Sequence, residues 1–300
     1  KNWLECMSVE ENNYAKKVTL PRPGHADLAG VMKFGFDDIR NVIERSSARE
    51  TAMRVAISSV CRKMLEDIGI EVCSRVVQIY NIEDSSKIDF SKSLSKINAL
   101  IDKSDVRCLD KNIEKEMIKA IDKAKSSGDS VGGIIDIYCT GLPFGLGSYA
   151  QWDKKLQSKI SESLLSINAF KGIEFGMGFD VAGSLGSNVH DEIKIDNKKL
   201  IRKTNNAGGI EGGMSNTEPL MIKLSMKPIP TLTKPLDSVD INTNTSKKAH
   251  RERTDSCAVP AASIIAENLL CIVIADALLS KFGGDSMEQL KSHIKQSGKF

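Results

Sequence analysis

The sequence predicts an α+β fold in which antiparallel sheets are flanked by helices. Segments with strand and helix periodicity follow one another in mixed order, whereas strict alternation would favour a doubly wound parallel sheet. Residues 193–202 have the pattern of an antiparallel hairpin that turns at Asp196-Asn197-Lys198. The apolar residues 258–282 indicate a long buried helix.

The first part of the chain has two helical patterns. Residues 35–47 have apolar side chains at helical spacing, and a longer pattern begins at Ala48 and stops at Gly69. The predicted inner positions of the longer helix are Ala52, Val55, Ala56, Val60 and Met64. Arg45 and Arg49 are four residues apart where the two patterns meet, so we expect both side chains on one helix face.

The middle of the chain combines strands with amphipathic helices. Residues 71–80 and 131–139 are rich in strand-forming side chains. The helix between them has an apolar face at Ile113, Met117, Ile118, Ile121 and Ala124. Another helix is predicted over 152–169, and a half-buried strand over 173–179. The inner residues of that helix are expected to be Leu156, Ile160, Leu164 and Ile167.

The last third of the chain is predicted to hold a strand, a loop and the long helix. The strand covers 220–226. We expect a long loop over 228–250, because this stretch has three prolines and many Thr, Ser, Asn and Asp residues. The helix over 258–282 contains Glu267 and Asp276, and carboxylates are costly inside a lipid bilayer. A core helix is therefore favoured over a membrane span.

Composition limits the classes of function. The chain has 42 Lys and Arg against 39 Asp and Glu, and a net charge of +3 gives no global field that recruits nucleic acid or an acidic membrane. Aromatic residues are only 5% of the chain, which also argues against a nucleic-acid role. Any binding of anions must therefore be local.

Cysteine usage and the chain start suggest a compartment and a domain organisation. The seven cysteines are odd in number and never form a Cys-x-x-Cys pair, which argues against a disulfide framework and a zinc knuckle. We therefore expect a reducing cytoplasm.

With no repeat or evident boundary, residues 1–300 are expected to form one domain. Residues 1–11 are polar, unlike a signal peptide, and an N-terminal portion of this domain is expected to be missing.

Two arginine-led segments, 45–51 and 251–257, precede predicted helices. Each places guanidinium groups and small hydroxyls where unpaired backbone N–H groups and the helix dipole favour an anion. Asp255 is expected either to cap the helix that starts near Ala258 or to act as a base beside a ligand. A solvated helix start is the alternative for each segment. Two such segments together favour a phosphorylated ligand, a phosphorylated cofactor, or both.

His25 is the histidine best placed for chemistry. In residues 22–27 a proline and a glycine predict a turn, and Arg22 and Asp27 flank the imidazole. A loop histidine that caps the next helix is the alternative. His190 and His293 are expected at the surface, and none of the four histidines has the spacing of zinc ligands.

A glycine cluster in residues 205–216 permits positive φ angles and close approach of a ligand to the backbone. A flexible hairpin loop is the alternative. The glycines of residues 141–147 have the wrong spacing for a dinucleotide fingerprint, and Pro143 interrupts them. A Rossmann site is therefore excluded, and no Ser-His-Asp or Cys-His arrangement is evident.

Five ordered motifs resemble those of the chorismate synthase family. They are Arg22-Pro-Gly-His-Ala-Asp27, Arg45-Ser-Ser-Ala-Arg-Glu-Thr51, Asn206-Ala-Gly-Gly-Ile-Glu-Gly-Gly-Met-Ser-Asn216, Lys227-Pro-Ile-Pro-Thr231 and Arg253-Thr-Asp-Ser-Cys257. The likeness covers nearly the whole chain, including 145–148 and 282–285. It implies a β-α-β sandwich of antiparallel sheets and helices, assembled as a homotetramer.

The resemblance implies a lyase of the shikimate pathway that converts 5-enolpyruvylshikimate-3-phosphate to chorismate. An anti 1,4-elimination would remove phosphate and a ring C6 hydrogen, with reduced FMN (FMNH2) as a cofactor that is not consumed. NAD(P)H would serve only to reduce the flavin, either on this protein or through an external flavin reductase. Neither nucleic acid nor a membrane is an expected partner.

The resemblance also implies which residues form the site. Contacts to FMN would come from Arg45, Ser46, Ser47, Asn168, Ala169, Gly212, Lys227, Pro228, Ile229, Pro230, Thr231 and Arg253. Arg22 and Arg49 would bind the substrate. His25 would lie next to the reduced flavin, and Asp255 would work with flavin N5 in removing the C6 hydrogen. No metal is expected.

The chain departs from the family pattern in two places. The family's second histidine, in a Gly-Glu-Ser-His-Gly segment near its N-terminus, is not among these 300 residues. The residue expected to protonate the departing phosphate is therefore missing. Thr217 stands where glycine is expected, which puts the local backbone conformation in question. The missing histidine leaves an alternative open, a non-catalytic flavin- or phosphate-binding protein derived from this family.

Overall fold

The computed structural model describes residues 17–197, 199–252 and 254–297. They divide into two compact units. The first unit contains the described residues up to 48, together with 124–130 and 229–256. The second contains 49–123, 131–228 and the described residues from 257 onward. The expectation of one domain over residues 1–300 stays a prediction.

The elements follow one another in mixed order. The helices are α1 (Asp27–Phe34), α2 (Arg40–Arg45), α3 (Thr51–Asp67), α4 (Leu94–Ile101), α5 (Lys111–Ser127), α6 (Leu156–Leu165), α7 (Gly186–Val189), α8 (Val259–Phe282) and α9 (Met287–Gln296). The strands are β1 (Glu71–Ile79), β2 (Ile82–Glu83), β3 (Gly133–Thr140), β4 (Phe170–Phe175), β5 (Ile193–Asp196), β6 (Lys199–Arg202), β7 (Ile210–Glu211), β8 (Met214–Ser215), β9 (Leu220–Met226), β10 (Asp237–Asp240) and β11 (Thr245–Lys248).

The first unit has a small apolar core beneath α1 and α2. The core consists of Val31, Ile39 and Val42, with Val18, Ile43 and Ile241 packed against them. Gly35 ends α1 with a φ of 67°, a left-handed conformation that costs glycine little. The helix predicted over 35–47 is therefore wrong in its bounds, since α2 begins only at Arg40.

A two-stranded hairpin, β10 and β11, also belongs to the first unit. The Asp240 carboxylate accepts the backbone N–H of Asn242 at 3.1 Å and pairs with Lys247 at 2.9 Å. The prediction of a loop over 228–250 is wrong for the residues of β10 and β11, which form this hairpin. Polar residues that favour loops are equally tolerated in a short hairpin whose strands are largely exposed.

The second unit is built on a five-stranded antiparallel sheet with the order β2-β1-β3-β9-β4. The strands predicted over 71–80, 131–139 and 220–226 are confirmed as β1, β3 and β9. α4 packs on one face, where its apolar residues cover Cys73 and Tyr138. The neighbouring Ser74 points to the opposite face and donates to the carbonyl of Ser263 in α8 at 3.0 Å.

α8 is the core helix predicted from its apolar sequence. Among the described residues it is the one helix long and apolar enough to cross a membrane, and 72% of its most apolar window is buried within the protein. Its buried carboxylate, Glu267, accepts hydrogen bonds from Arg62 at 2.9 Å and from Ser74 at 2.7 Å. These partners offset the cost of burying the charge, as a core helix requires.

Several helices and strands differ from the prediction in their bounds or in the face that is buried. α3 buries Thr51, Ser58 and Leu65 rather than the predicted apolar positions, and Val60 is 73% exposed. The predicted face is wrong because apolar residues lie on more than one side of α3. α6 is shorter than 152–169, although Leu156, Ile160 and Leu164 are buried as predicted. β4 ends at Phe175, where glycines with positive φ turn the chain into a 3₁₀ segment.

The α+β fold class is confirmed, with antiparallel sheets and flanking helices. The predicted hairpin is present as β5 and β6, and Asn197 has a φ of 46° at its turn. Lys198 lies outside the described residues. The helix expected around Ile113 and Met117 is α5, and Met117 is fully buried.

Candidate active site

The predicted site residues belong to both units. The first unit contains Arg22, His25, Arg45, Ser46, Ser47, Ile229, Pro230, Thr231 and Asp255. The second contains Arg49, Asn168, Ala169, Gly212, Lys227 and Pro228. The predicted cofactor contact at Arg253 lies outside the described residues.

The turn predicted around His25 is present in the first unit. The backbone N–H of His25 donates to the carbonyl of Arg22 at 3.2 Å, and Gly24 has a φ of 75°. This turn leads directly into α1, whose first residue is Asp27. A carboxylate is favoured there because the helix dipole is positive at its N-terminus.

Asp27 and Arg22 form a buried ion pair. The Asp27 side chain is fully buried and that of Arg22 is 6% exposed. Asp27 Oδ2 accepts the Arg22 backbone N–H at 3.0 Å and its Nε–H at 2.8 Å, while Oδ1 accepts Nη2–H at 3.1 Å. This two-pronged geometry is the strong form of an arginine–carboxylate pair.

The same carboxylate contacts His25. His25 Nδ1 lies 2.5 Å from Asp27 Oδ1, and the imidazole is 19% exposed. Burial alone would raise the pKa of Asp27, but hydrogen bonds from His25 and from the side chain and backbone of Arg22 lower that pKa well below its usual range. Asp27 is therefore an anion at neutral pH, and its Oδ1 accepts from its neighbours.

Arg22 also reaches a residue 209 positions away in the sequence. Its Nη1 donates to the Thr231 hydroxyl at 3.1 Å, and Thr231 is buried. The structure thus brings together Arg22, His25 and Thr231, three residues that the sequence assigned to the site. The guanidinium is largely used by internal partners, so Arg22 fixes neighbouring groups in place, and its predicted contact with substrate stays a prediction.

Arg45 and Arg49 do not share a helix face. Arg45 ends α2, whereas Arg49 lies in a separate 3₁₀ turn, Ala48–Glu50. The α-helix stops at Ser46, which has φ −86° and ψ 6°, so the four-residue spacing no longer aligns the two side chains. That prediction is wrong. Both guanidinium groups belong to exposed residues, and Ser46 and Ser47 are half-buried.

In the second unit the structure joins two predicted cofactor contacts. The backbone N–H of Lys227 donates to the carbonyl of Ala169 at 3.0 Å. Ala169 has a φ of 69°, an uncommon conformation for a residue with a Cβ and often found at functional sites. Asn168 is exposed beside it.

The four glycines of residues 208–213 serve different purposes. A Cβ on Gly208 would lie 2.2 Å from the backbone nitrogen of Gly176, and a Cβ on Gly209 would lie 2.8 Å from Leu220 Cα. These glycines allow close packing of backbone segments. Gly212 is exposed, with a φ of 58° and only Met214 Cε within 4.0 Å of a Cβ position. Of these four glycines, only Gly212 has open space at its Cβ position, where a ligand could approach.

Thr217, which stands where the resemblance leads us to expect glycine, has a left-handed backbone conformation. Its φ is 74°, in the left-handed region where a β-branched residue is a clear outlier. Glycine would adopt this conformation without the steric cost of a Cβ. Glycine at position 217 would therefore relieve a local backbone strain.

Asp255 is exposed and does not cap α8. The helix begins at Val259, its N-cap residue is Ala258, and no side chain makes a capping hydrogen bond there. The predicted cap is therefore wrong, because three residues separate Asp255 from the start of the helix. The alternative role of Asp255, as an acid–base group, stays a prediction.

The chemistry of these groups suits phosphorylated ligands. Arg45, Arg49 and Lys227 supply cations, and Ser46, Ser47 and Thr231 supply hydroxyls. Gly212 exposes backbone that a ligand can approach. Among the described residues no group of three or more His, Cys, Asp or Glu could hold a metal ion. Within each unit, these cations and hydroxyls are groups that bind anions.

Sequence reasoning missed one member of the cluster, Asp27. It was recognised as an acid flanking His25, but it was not assigned to the site. The signal was present in the sequence: a carboxylate two residues after a histidine and at the start of a helix. Only the structure shows that Asp27 is fully buried and bound by both Arg22 and His25.

Comparison with protein families and solved structures gives a consistent result. The family model described as "Chorismate synthase" matches residues 3–279. A protein from Bacillus cereus named "Chorismate synthase 2" is 48% identical over 307 residues, which cover 100% of this chain and 78% of that protein. A "Chorismate synthase" from Listeria welshimeri is 50% identical over 301 residues, which cover 99% of this chain and 77% of that protein.

A solved structure has a similar fold. It is described as "Crystal Structure of Chorismate Synthase" and superposes with a TM-score of 0.77 at 39% sequence identity. The match covers 90% of this chain and 75% of that one. The two proteins are therefore similar in sequence as well as in fold.

Proposed function

The chain belongs to the chorismate synthase family, and on this premise we propose how its residues serve the chorismate-forming reaction. It is a lyase of the shikimate pathway that forms chorismate from 5-enolpyruvylshikimate-3-phosphate by loss of phosphate. The observation that carries the proposal for the site is the cluster of Arg22, His25 and Thr231 around the buried Asp27. No observation favours the non-catalytic alternative.

The proposed cofactor is reduced FMN. When bound, a reduced flavin would supply electron density to the electron-poor transition state without net redox change. The residues proposed to hold it are Arg45, Ser46, Ser47, Asn168, Ala169, Gly212, the segment 227–231 and Arg253. The cationic and hydroxyl-bearing groups and the open Gly212 backbone support this assignment. NAD(P)H would act only as the source of electrons for flavin reduction, here or on an external reductase.

The proposed work of the protein is to bind anions and to move protons. Arg22 and Arg49 would bind the phosphate and carboxylates of the substrate, because a departing phosphate needs fixed cations. His25 would exchange a proton beside the flavin. Asp255, an exposed carboxylate, would work with flavin N5 in removing the C6 hydrogen.

Cytoplasmic location and a homotetramer are further proposals. They follow from the family and from the cysteine pattern rather than from a contact in the described residues. We also propose that residues 1–300 belong to a single domain of this family. The relative from Bacillus cereus is longer, since the alignment covers 78% of it.

An anaerobic assay tests the function. The protein in its full length is incubated with FMN, dithionite and 5-enolpyruvylshikimate-3-phosphate, and chorismate is measured by its absorbance and by chromatography. We expect chorismate to form at a constant flavin concentration. Flavin binding without chorismate would contradict the lyase and favour the non-catalytic alternative.

A matched pair of variants tests the acid–base assignment. Asp255→Asn should keep flavin binding while lowering kcat by roughly 10²–10⁴-fold, the usual contribution of general acid–base catalysis. Asp276→Asn changes another exposed carboxylate, which pairs with Lys159, and should leave kcat unchanged. Equal kcat values for the two variants would refute the role of Asp255.

A further inference from the structure

We propose that Asp27 is a positioning residue for His25, which it holds with the proton on Nδ1 so that Nε2 is the nitrogen that exchanges a proton. The inference rests on the proposed function of His25 and deepens it. Asp27 is fully buried, and each of its oxygens has two donors within 3.1 Å. The four donors are the backbone N, Nε and Nη2 of Arg22 and Nδ1 of His25.

The proton on Nδ1 follows from the nature of the acceptor. An ionised carboxylate can only accept hydrogen bonds, so the imidazole nitrogen 2.5 Å from Oδ1 must donate. A neutral imidazole has one N–H, and its other nitrogen carries a lone pair. Nε2 is then the basic nitrogen. It gains a proton to give imidazolium and loses the same proton to return, while the Nδ1–H bond stays intact.

Arg22 does not decide between the two ring nitrogens. Its Nη2 lies 3.2 Å from Nδ1 and 3.3 Å from Nε2 of His25. Nearly equal distances do not favour either ring nitrogen as the acceptor of Nη2–H. Asp27 contacts Nδ1 at a much shorter distance, so the carboxylate sets the proton position.

Asp27→Asn should move the ring proton of neutral His25 from Nδ1 to Nε2. Its amide has one acceptor oxygen and one NH2 group. The site of Oδ2 faces two donors of Arg22 and the site of Oδ1 faces one, and none of these can become an acceptor, so the amide oxygen is drawn to the Oδ2 site. The NH2 group then faces His25 Nδ1, which can accept only if the ring proton moves to Nε2. The size and shape of the side chain barely change.

Nitrogen-15 NMR of histidine-labelled protein tests the proposal directly. The chain has four histidines, and His25→Gln identifies the signals of His25 by their loss. When His25 is neutral, we expect Nδ1 to have the ¹⁵N chemical shift of a protonated ring nitrogen. Nε2 should have the chemical shift of an unprotonated ring nitrogen. Asp27→Asn should exchange the two shifts. A wild-type His25 protonated on Nε2, or an even mixture of the two forms, would overturn the proposal.

The matched control is the exposed pair of His250 and Glu252, whose Nε2 and Oε1 atoms lie 2.9 Å apart. Glu252→Gln should leave the ¹⁵N chemical shifts of His25 unchanged. If Glu252→Gln exchanged the shifts of His25 Nδ1 and Nε2, the proposed role of Asp27 would be contradicted. If Asp27→Asn fails to fold, the wild-type spectrum and Asp27→Glu decide, because glutamate keeps an acceptor and should keep the proton on Nδ1. Asp27→Glu with the proton on Nε2 would overturn the proposal.

Activity separates this inference from the proposed function. Asp27→Asn should lower kcat on the order of 10²–10⁴-fold with KM changed less than threefold, as expected for a misplaced proton in the reacting state. An unchanged kcat despite exchanged shifts would overturn the positioning role. The NMR result does not depend on chorismate formation, so failure of the lyase assay with normal His25 shifts would count only against the proposed function.

Discussion

Two histidine–carboxylate pairs of the first unit have similar geometry and different surroundings. His25 and Asp27 lie 2.5 Å apart with side-chain exposures of 19% and 0%. His250 and Glu252 lie 2.9 Å apart with exposures of 31% and 47%. The buried pair shares a third partner, Arg22, whereas the exposed pair faces solvent that screens its charges. Burial, rather than pairing as such, makes a histidine–carboxylate pair a fixed structural and chemical unit.

The difference has an energetic side. A buried carboxylate has lost its hydration and depends on each remaining donor, so removal of one partner leaves an uncompensated charge. An exposed carboxylate recovers water when its partner is removed. Four predictions test this contrast, from the largest expected effect to the smallest.

The strongest test removes the buried carboxylate. Asp27→Ala should lower the free energy of unfolding by about 3–5 kcal/mol, because Arg22 stays buried without its counter-charge. Urea unfolding followed by circular dichroism measures the change. Glu252→Ala is the matched control and should change stability by less than ~0.5 kcal/mol. Similar losses for both variants would show that burial does not distinguish the pairs.

The second test uses the buried hydroxyl partner of Arg22. Thr231→Val keeps the shape of the side chain but removes the acceptor of Nη1. We expect a loss of about 1–3 kcal/mol, the usual cost of a buried donor left unsatisfied. Thr254→Val, at a half-buried site whose hydroxyl donates to the carbonyl of Asp255, should have little effect. A neutral Thr231→Val would mean that Arg22 is hydrated at this position.

The third test is the pH dependence of stability. Hydrogen bonds outweigh burial and lower the pKa of Asp27 in the folded state, below the value of about 3.9 expected in the unfolded chain. Its stabilisation is therefore fully present above about pH 4 and is lost as the pH falls toward the folded-state pKa. Asp27→Asn should flatten the decline of unfolding free energy below pH 4, and Glu252→Gln should not. An unchanged acid decline in Asp27→Asn would contradict the assignment.

The smallest effect concerns the exposed pair itself. Glu252→Gln should change the free energy of unfolding by less than about 1 kcal/mol, and 1 M salt should remove most of that change because the Debye length is then only ~3 Å. Thermal unfolding at low and high salt measures it. A larger, salt-independent loss would mean that this pair is not solvated.

The sequence predicted the long elements well because their signals are local and strong. β1, β9 and α8 appeared as unbroken strand or apolar helix patterns, and the turn at Gly24 was predicted from its glycine and proline neighbours. The hairpin of β10 and β11 was missed, because short exposed strands and loops share the same polar composition. α4 was missed as well, although it covers one face of the sheet.

The site was predicted less completely, for a physical reason. The resemblance identified Arg22, His25 and Thr231, but no sequence pattern tells that Asp27 is fully buried. The assignment of Arg45 and Arg49 to one helix face failed because a helix break at Ser46 is invisible in the spacing of charges. Burial and backbone breaks depend on tertiary contacts, and they decide what each charged residue does.

The most direct test of the central contrast is a single-turnover measurement of chorismate formation with pre-reduced FMN, in wild type, Asp27→Asn and Glu252→Gln. We expect Asp27→Asn to be slower by roughly 10²–10⁴-fold, with flavin binding retained, and Glu252→Gln to match wild type. Equal rates in all three proteins, or an equal loss in both variants, would contradict the claim that the buried carboxylate alone prepares its histidine for proton transfer.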